Sequence, residues 1–370
     1  MRVYSPQEIL MEEAVADTSI ASNVLRNLPG VPVRLVPDVD SLVEESRRFQ
    51  PSIAQAKRQL LLCRHQGRFF KPCPAGTTRA GHSNVCCNYF VVNYASNCHM
   101  ECSYCYLQSY LNLPQMVVYA NHQDLLDELD QVFSASPASQ FRVGTGELAD
   151  SLALDPLTEY SRPLVEFFAR RRNAVLEFKT KSDCVDLLMD LDHGGRTIVS
   201  WSINPRTVQE AEEHKTASIE ERLSAAERCV EAGYPVVFHI DPIVRIADWE
   251  KHYRGLVQEI FQRIPGDSIP YISLGALRMA PHLKEIMRER FPHSSLPLGE
   301  LMPTSDGKLR YFKPLRVEML SKVRSWIEAA SPSTRTYTCM ENADVWSRVF
   351  DSDAIPSEVE VGDRLLQLSL

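Results

Sequence analysis

Three cysteines, Cys98, Cys102 and Cys105, fall within the stretch SNCHMECSYCYLQ (residues 96–108) in the spacing C-x3-C-x2-C. Thiols this close together support three chemistries. In an oxidising compartment they pair as disulfides. As zinc ligands they want a fourth partner, because structural zinc is held tetrahedrally, often by paired C-x2-C knuckles. As iron ligands three suffice, with the fourth iron of a [4Fe–4S] cluster left open for a substrate or cofactor. A set of three suits the last chemistry best, since an iron without a protein ligand can hold a reagent.

Five more cysteines stand apart from this loop. Cys63, Cys73, Cys86 and Cys87 lie in CRHQGRFFKPCPAGTTRAGHSNVCCN, rich in Gly and Pro and without periodicity, and Cys339 lies in the polar turn TYTCMEN. Long aperiodic loops inside a compact domain usually carry function. Gathered thiolates bind iron and staple irregular backbone, so these five read as ligands of an auxiliary iron–sulfur cluster, with Cys339 reaching in from the tail. A zinc site built from Cys63, Cys73, Cys86 and Cys87, or no metal at all, stays open at this level. Cys86 and Cys87 need not both ligate, because neighbouring side chains diverge. The last two of the ten cysteines, Cys184 and Cys229, sit in helical patterns and read as small buried hydrophobes. None of the ten histidines has metal-ligand spacing.

The elements that must position these residues alternate. YFVVNYA reads as a strand running into the three-cysteine loop, HQDLLDELDQVFSA as an amphipathic helix, and FRVGTGEL as a strand ending in glycines. AVLEFKTKS, RTIVSWSIN, YPVVFHIDPIV and YISLGAL follow as strands, separated by helices such as SIEERLSAAERCVEAG and WEKHYRGLVQEIFQRI. About six β/α units over residues 89–291 predict an α/β fold, a partial (β/α)6 TIM-type barrel. Residues 1–88, with helical spacing in DSLVEESRRFQPSIAQAKRQLLLC ahead of the Cys-rich loop, form an N-terminal extension. Residues 292–370 form a C-terminal extension that packs on the barrel and supplies Cys339.

Composition bounds the function. The chain has 370 residues, 44% hydrophobic and 24% charged, the balance of a soluble globular protein. No apolar run reaches the ~18 residues of a membrane span. MRVYSPQEILMEEAVADTS lacks the apolar core of a secretory signal, so a cytoplasmic location without a membrane partner is expected and disulfides recede. The net charge of −8 makes duplex DNA an unexpected partner, because phosphate binding favours basic surfaces. It does not exclude a nucleotide-sized substrate.

The cysteine spacing directly after a first barrel strand, with the aromatic Tyr104 before the third cysteine, resembles the radical S-adenosylmethionine (SAM) superfamily. CSYCYLQSYL and VVYANHQDLLDEL look like the spore photoproduct lyase family. FRVGTGELAD, LEFKTKSDCVDLL, TIVSWSINPRTV and RLSAAERCVEAGYPVVFHIDPIVRIADWEKHY continue the likeness in order, over roughly residues 90–315. The extra cysteines look like the mark of a paralogous subgroup.

That resemblance implies a site. SAM would chelate the open iron, Tyr104 would hold the adenine through its backbone, and Gly146 and Glu147 of GTGE would take the SAM ammonium. Lys181 and Ser202 match SAM-contacting positions, and Asp241 to Ile243 would flank the adenosine. As alternatives, Glu147 is a helix-capping acid, Lys181 a solvated lysine and Ser202 a strand-end hydroxyl. Tyr104 and Tyr106 are candidates for a radical relay. Arg310 and Tyr311 fall near the family's substrate-holding hairpin, where they would pair with phosphate and stack on a base, or else form an ordinary surface turn. One departure stands out: Gly144 occupies the place of the cysteine that returns a hydrogen atom in the DNA-repair enzyme.

The implied activity is reductive cleavage of SAM at the [4Fe–4S] cluster to a 5′-deoxyadenosyl radical, which takes hydrogen from a nucleoside or nucleotide. Sulfur insertion or redox help from the auxiliary cluster would fit, and an electron donor such as flavodoxin or ferredoxin is required. The alternatives are a thymine-dimer photoproduct lyase and a non-enzymatic iron–sulfur redox sensor.

Overall fold

Seven segments rich in β-branched and aromatic residues form parallel strands: β1 (Tyr89–Val92), β2 (Phe141–Gly144), β3 (Ala174–Thr180), β4 (Thr197–Ser202), β5 (Val236–Ile243), β6 (Tyr271–Ala276) and β7 (Arg335–Thr338). They pair in that order, each parallel to the next. Helices α1 (His122–Ala135), α2 (Ser161–Ala169), α3 (Ile219–Glu231), α4 (Trp249–Arg263) and α5 (Lys313–Ala330) fill five of the six crossovers. Between β3 and β4 the chain makes only the 3-10 turn Asp186–Leu188. The computed structural model describes residues 3–49, 51–74 and 84–367, without the side chains of residues 358 and 359. Residues 75–83 of the expected Cys-rich loop therefore lie outside the described residues.

The fold is the expected α/β partial barrel, and the C-terminal extension adds β7 as a further parallel strand. The far edge is capped by the antiparallel Phe70–Pro72, and the two edges do not pair with each other. Instead Asn84–Val85, just before β1, pairs antiparallel with Glu341–Asn342, just after β7. That two-stranded strap brings the two ends of the sheet together.

Alternation along the strands divides the molecule. Leu176, Phe178, Val199, Trp201, Phe238, Ile272 and Leu274 pack in the main core. The intervening Glu177, Lys179, Ser200, Ser202, His239 and Asp241 belong to the opposite face, the barrel interior. Val85, Val175, Ile198, Val237, Tyr271, Tyr337, Leu365 and Leu366 form a separate apolar plug at the N-terminal ends of the strands.

The N-terminal residues do more than extend the barrel. A five-stranded sheet has the order Val33–Val36, Glu8–Glu12, Gln59–Cys63, Met116–Tyr119, Ala95–Ser96. Two of its strands come from beyond residue 89, so the expected boundary at 88/89 is not respected. One main core runs from Tyr4 to Val349 across all three expected regions. The helical spacing read through QLLLC is also corrected, because Gln59–Cys63 is a strand. Its consecutive apolar residues are all buried because a sheet covered on both faces selects continuous hydrophobic runs.

Helix α3 shows how local signals set an end. Ser218 accepts from the Glu221 amide at 3.2 Å, and the Glu221 carboxylate accepts from the Ser218 amide at 2.7 Å. This capping box satisfies two otherwise orphaned donors. Ser218→Ala is expected to cost about 1 kcal/mol, read as a lower urea midpoint with an unchanged slope.

Candidate functional site

The three-cysteine loop leaves the C-terminal end of β1, the end of a β/α barrel that carries chemistry. Asn97 adopts a left-handed backbone (φ 74°), and its side chain accepts from the Cys98 amide at 2.8 Å and donates to the Pro114 carbonyl at 2.7 Å. The Gln108 amide donates to the carbonyls of Cys102, Ser103 and Cys105 at 2.8–3.2 Å, which ties the loop into a compact turn. The three sulfurs sense one another's charge. Burial pushes the Cys98 thiol up to about 12 and raises the Cys102 thiol well above its ordinary value. Thiols so placed stay protonated in water and release their protons when a metal binds. Among the described residues, no three His, Cys, Asp or Glu side chains stand close enough to hold a single metal ion. Cys98, Cys102 and Cys105 on one compact loop are nonetheless the thiol set that a three-ligand cluster takes.

A buried ion pair fixes this loop to the barrel. The Tyr104 hydroxyl donates to Glu213, whose carboxylate faces Arg222 at 2.7 Å with both side chains fully buried. Arg222 also donates to the Ser202 carbonyl (2.9 Å), the Ala217 carbonyl (3.0 Å) and the Thr216 hydroxyl (2.7 Å). Glu101–Cys102 pairs antiparallel with Glu213–His214, and Ser103 is held by Glu212 through both backbone and side chain. Tyr104 is thus a buried strut between the loop and the end of β4.

The other expected SAM contacts ring the same mouth. The Lys181 ammonium lies 5.8 Å from the centre of the Tyr104 ring. Burial alone would lower it, but Glu213 and Cys102 hold it above its ordinary value. Ser202 is buried at the end of β4. Glu147 is half-buried, and burial raises its carboxyl despite a hydrogen bond with Asn93. Tyr106 is exposed and donates its hydroxyl to the Glu147 carbonyl. A side chain at Gly146 would sit 3.0 Å from the Lys179 carbonyl, so this glycine permits the loop after β2 to lie against β3. Asp241 is clamped by Arg278 at 2.8 and 3.0 Å. Ile243 is wholly buried in the core, so of the Asp241–Ile243 turn only Asp241 lies at the interior surface.

Two expected substrate residues are buried in the hairpin base. Arg310 is buried and paired with Asp306 at 2.6 Å, with Glu341 at 3.7 Å. Tyr311 is buried, and its hydroxyl accepts from the Arg245 amide at 3.0 Å. Both build the base of the short hairpin formed by Met302–Pro303 and Leu309–Arg310. A surface turn was the wrong picture as well, since neither is exposed.

The five further cysteines do not form one set. Cys63 lies in the N-terminal sheet, packed with Leu10, Val36, Leu42, Leu61 and Val117, and its thiol is pushed up to about 12 by burial. It is removed from the auxiliary set, because the strand that carries it faces a different core. The strap places Cys86 and Cys87 after Val85 and Cys339 before Glu341, and Cys87 and Cys339 sense each other's charge. Cys73 donates its amide to the Tyr89 carbonyl at 2.8 Å, so it stands beside β1.

Sequence reasoning overlooked several residues here. Asp150 accepts from the Leu152, Ala153 and Lys181 amides and from the Thr180 hydroxyl at 2.6–3.1 Å, which locks the loop after β2 onto the end of β3. Inside the barrel Glu177 meets His239 at 2.7 Å and the Tyr271 hydroxyl at 3.1 Å. The alternation Glu177, Lys179, Lys181 in LEFKTK was the available signal, since three charges on one face of a buried strand need a polar interior.

The chain is similar to known proteins over most of this architecture. It is 29% identical over 255 residues to a spore photoproduct lyase from Geobacillus, covering 66% of this chain and 75% of that one. It is 29% identical over 214 residues to the spore photoproduct lyase of Bacillus subtilis, covering 57% and 63%. In structure it matches a spore photoproduct lyase double mutant with bound AdoMet and dinucleoside spore photoproduct at a TM-score of 0.79 and 23% identity, over 92% of this chain and all of that one. At that identity the match speaks to the fold. The family model for spore photoproduct lyase covers residues 77–313, more than half of the chain, and the protein is accordingly a member of the spore photoproduct lyase family.

Proposed function

We propose that the protein is a radical SAM lyase that acts on a pyrimidine photoproduct in DNA. One observation carries this reading: the three-cysteine loop sits at the mouth of a partial barrel, with its Tyr104 strut, Lys181 and Ser202 facing the same opening. Cys98, Cys102 and Cys105 would hold the cluster, and Lys181 with Glu147 would receive the carboxylate and ammonium of SAM. The chemistry supplied by a bound, reduced cluster and SAM is one-electron cleavage of SAM to a 5′-deoxyadenosyl radical. The protein's own part is to hold the loop rigid through Glu213 and Arg222, orient SAM, and keep water from the interior.

The relatives' names weigh toward a DNA lesion. They weigh against a free nucleoside substrate, and against excluding duplex DNA on net charge alone. Net charge is a sum over the whole surface, whereas phosphate contacts are local. Gly144 supplies no thiol, so the hydrogen returned to the product comes from another group.

The test is anaerobic reaction of the reconstituted protein with SAM, dithionite and dinucleoside spore photoproduct. Conversion of the photoproduct to two thymidines, lost in Cys102→Ala, is the expected result. Release of 5′-deoxyadenosine with the photoproduct untouched would overturn the substrate and reinstate the nucleoside or sulfur-inserting alternative. No SAM cleavage at all would favour the sensor. A flavodoxin or ferredoxin in place of dithionite tests the expected donor class in the same assay.

A further inference from the structure

A second group of thiols borders the barrel interior around the strap. Cys86 and Cys87 follow one half of the strap and Cys339 precedes the other. The antiparallel pairing Val85↔Glu341 brings the stretches that carry Cys87 and Cys339 side by side. Cys73 joins from the edge strand, through its bond to the Tyr89 carbonyl. Three separate stretches of chain thus bring thiols to one patch. Cys73, Cys86, Cys87 and Cys339 are each only partly buried there.

The patch also holds two guanidinium groups, one of which lacks sufficient partners. Arg142 is buried on β2 over the rings of Tyr89, Tyr271 and Tyr337, at 4.7, 5.2 and 5.5 Å. Its Nη2 donates to the Cys87 sulfur at 2.9 Å. Its Nε and Nη1, and the Tyr89 hydroxyl, have no hydrogen-bond partner among the described residues. The nearest carboxylate, Glu177, stands 3.9 Å away and is already engaged by His239 and Tyr271. On the other side, Arg278 Nη2 lies 4.0 Å from the Cys339 sulfur and its Nε donates to the Met340 sulfur at 3.1 Å. Buried donors left without acceptors are costly, which points to an acceptor-rich anion.

We propose that Cys73, Cys86, Cys87 and Cys339 border a second site, whose ligand is an anionic iron–sulfur cluster held chiefly by Cys87 and Cys339. This narrows the auxiliary set by excluding Cys63, and it does not depend on the photoproduct reading. Zinc fits the site poorly, because it brings no acceptor of its own for the unsatisfied Arg142 donors. A cluster with its thiolates carries net negative charge, and its sulfides accept hydrogen bonds. A cluster also spans ligands further apart than a single ion can, in keeping with thiols that do not close on one metal position. Arg142 and Arg278 would act as positioning residues that neutralise the cluster and tune its potential.

The test uses the full chain, reconstituted anaerobically with iron and sulfide, carrying Cys98→Ala, Cys102→Ala and Cys105→Ala to remove the loop site. Iron and acid-labile sulfide in equal amounts, about two or four of each per chain, are expected to remain with visible charge-transfer absorption. Adding Cys87→Ser or Cys339→Ser should remove most of that iron, with circular dichroism reporting an intact fold. Adding Cys63→Ser should leave the iron content unchanged. Arg142→Lys in the same background should keep the iron and shift the reduction potential. A triple variant that holds no iron and sulfide, holds zinc instead, or keeps its cluster after both serine substitutions would overturn the proposal. If the serine variants fail to fold, the iron content of the folded triple variant still decides.

Discussion

Glu213→Gln is expected to destabilise the protein by about 3–5 kcal/mol, the range for leaving one member of a buried ion pair uncompensated. Arg222 is fully buried, and its hydrogen-bond acceptors are the neutral oxygens of Ser202, Ala217 and Thr216, so Glu213 alone balances its charge. Burial by itself would raise the Glu213 carboxyl, but Arg222, Lys181, Tyr104 and Asn204 together hold it down to about 2. A carboxylate held below its ordinary value of 4.5 contributes its full stability above that value. The contribution is lost as pH falls from 4.5 toward 2. Urea unfolding across this window should therefore show wild type and Glu213→Gln converging at the acid end and separating above it. An unchanged gap would show that the charge is not the source. The double variant Glu213→Leu/Arg222→Met should recover much of the loss, because it removes both charges at once. Loss of SAM cleavage in Glu213→Gln at a temperature where it is still folded would report the freed Tyr104 strut.

Gly144→Ala is expected to cost about 2–3 kcal/mol through overpacking. A Cβ at this position would lie 1.6 Å from the Tyr89 hydroxyl oxygen and 2.3 Å from the ring carbon that bears it, so the ring itself must move. Tyr89 cannot move freely, because Arg142 stacks on its face at 4.7 Å. Gly144→Cys, which restores the residue type expected from the family resemblance, should fail for the same reason. Pairing either substitution with Tyr89→Ala should bring the unfolding midpoint back toward that of Tyr89→Ala alone. If Gly144→Ala is as stable as wild type, Tyr89 does not fill this space in solution. The Tyr89 hydroxyl fills the volume beside Gly144, and a side chain fits there only if the tyrosine leaves.

The hairpin residues show why a sequence reading falls short. Arg310 and Tyr311 in DGKLRYFKP have the residue types that hold phosphate and base, and within the stretch only Asp306 offers Arg310 another partner. Their acceptors and donors, Glu341 and the Arg245 amide, come from distant stretches that only folding brings near. Cys63 failed for a related reason. A continuous apolar run such as QLLLC suits a helix or a buried strand equally, and the choice depended on Glu8–Glu12 and Met116–Tyr119 being there to pair with it.

The sequence alone determined the three-thiol loop, its place after the first barrel strand, and the alternation that builds the barrel. Each is encoded within a short window, by spacing that a single loop or strand can read. Tertiary structure decided which cysteines share a patch, which charged side chains are spent on one another, and what fills the space beside Gly144. Those outcomes depend on burial and pairing between segments far apart in the chain, where an ion pair or a 1.6 Å overlap exists only once the backbone has closed.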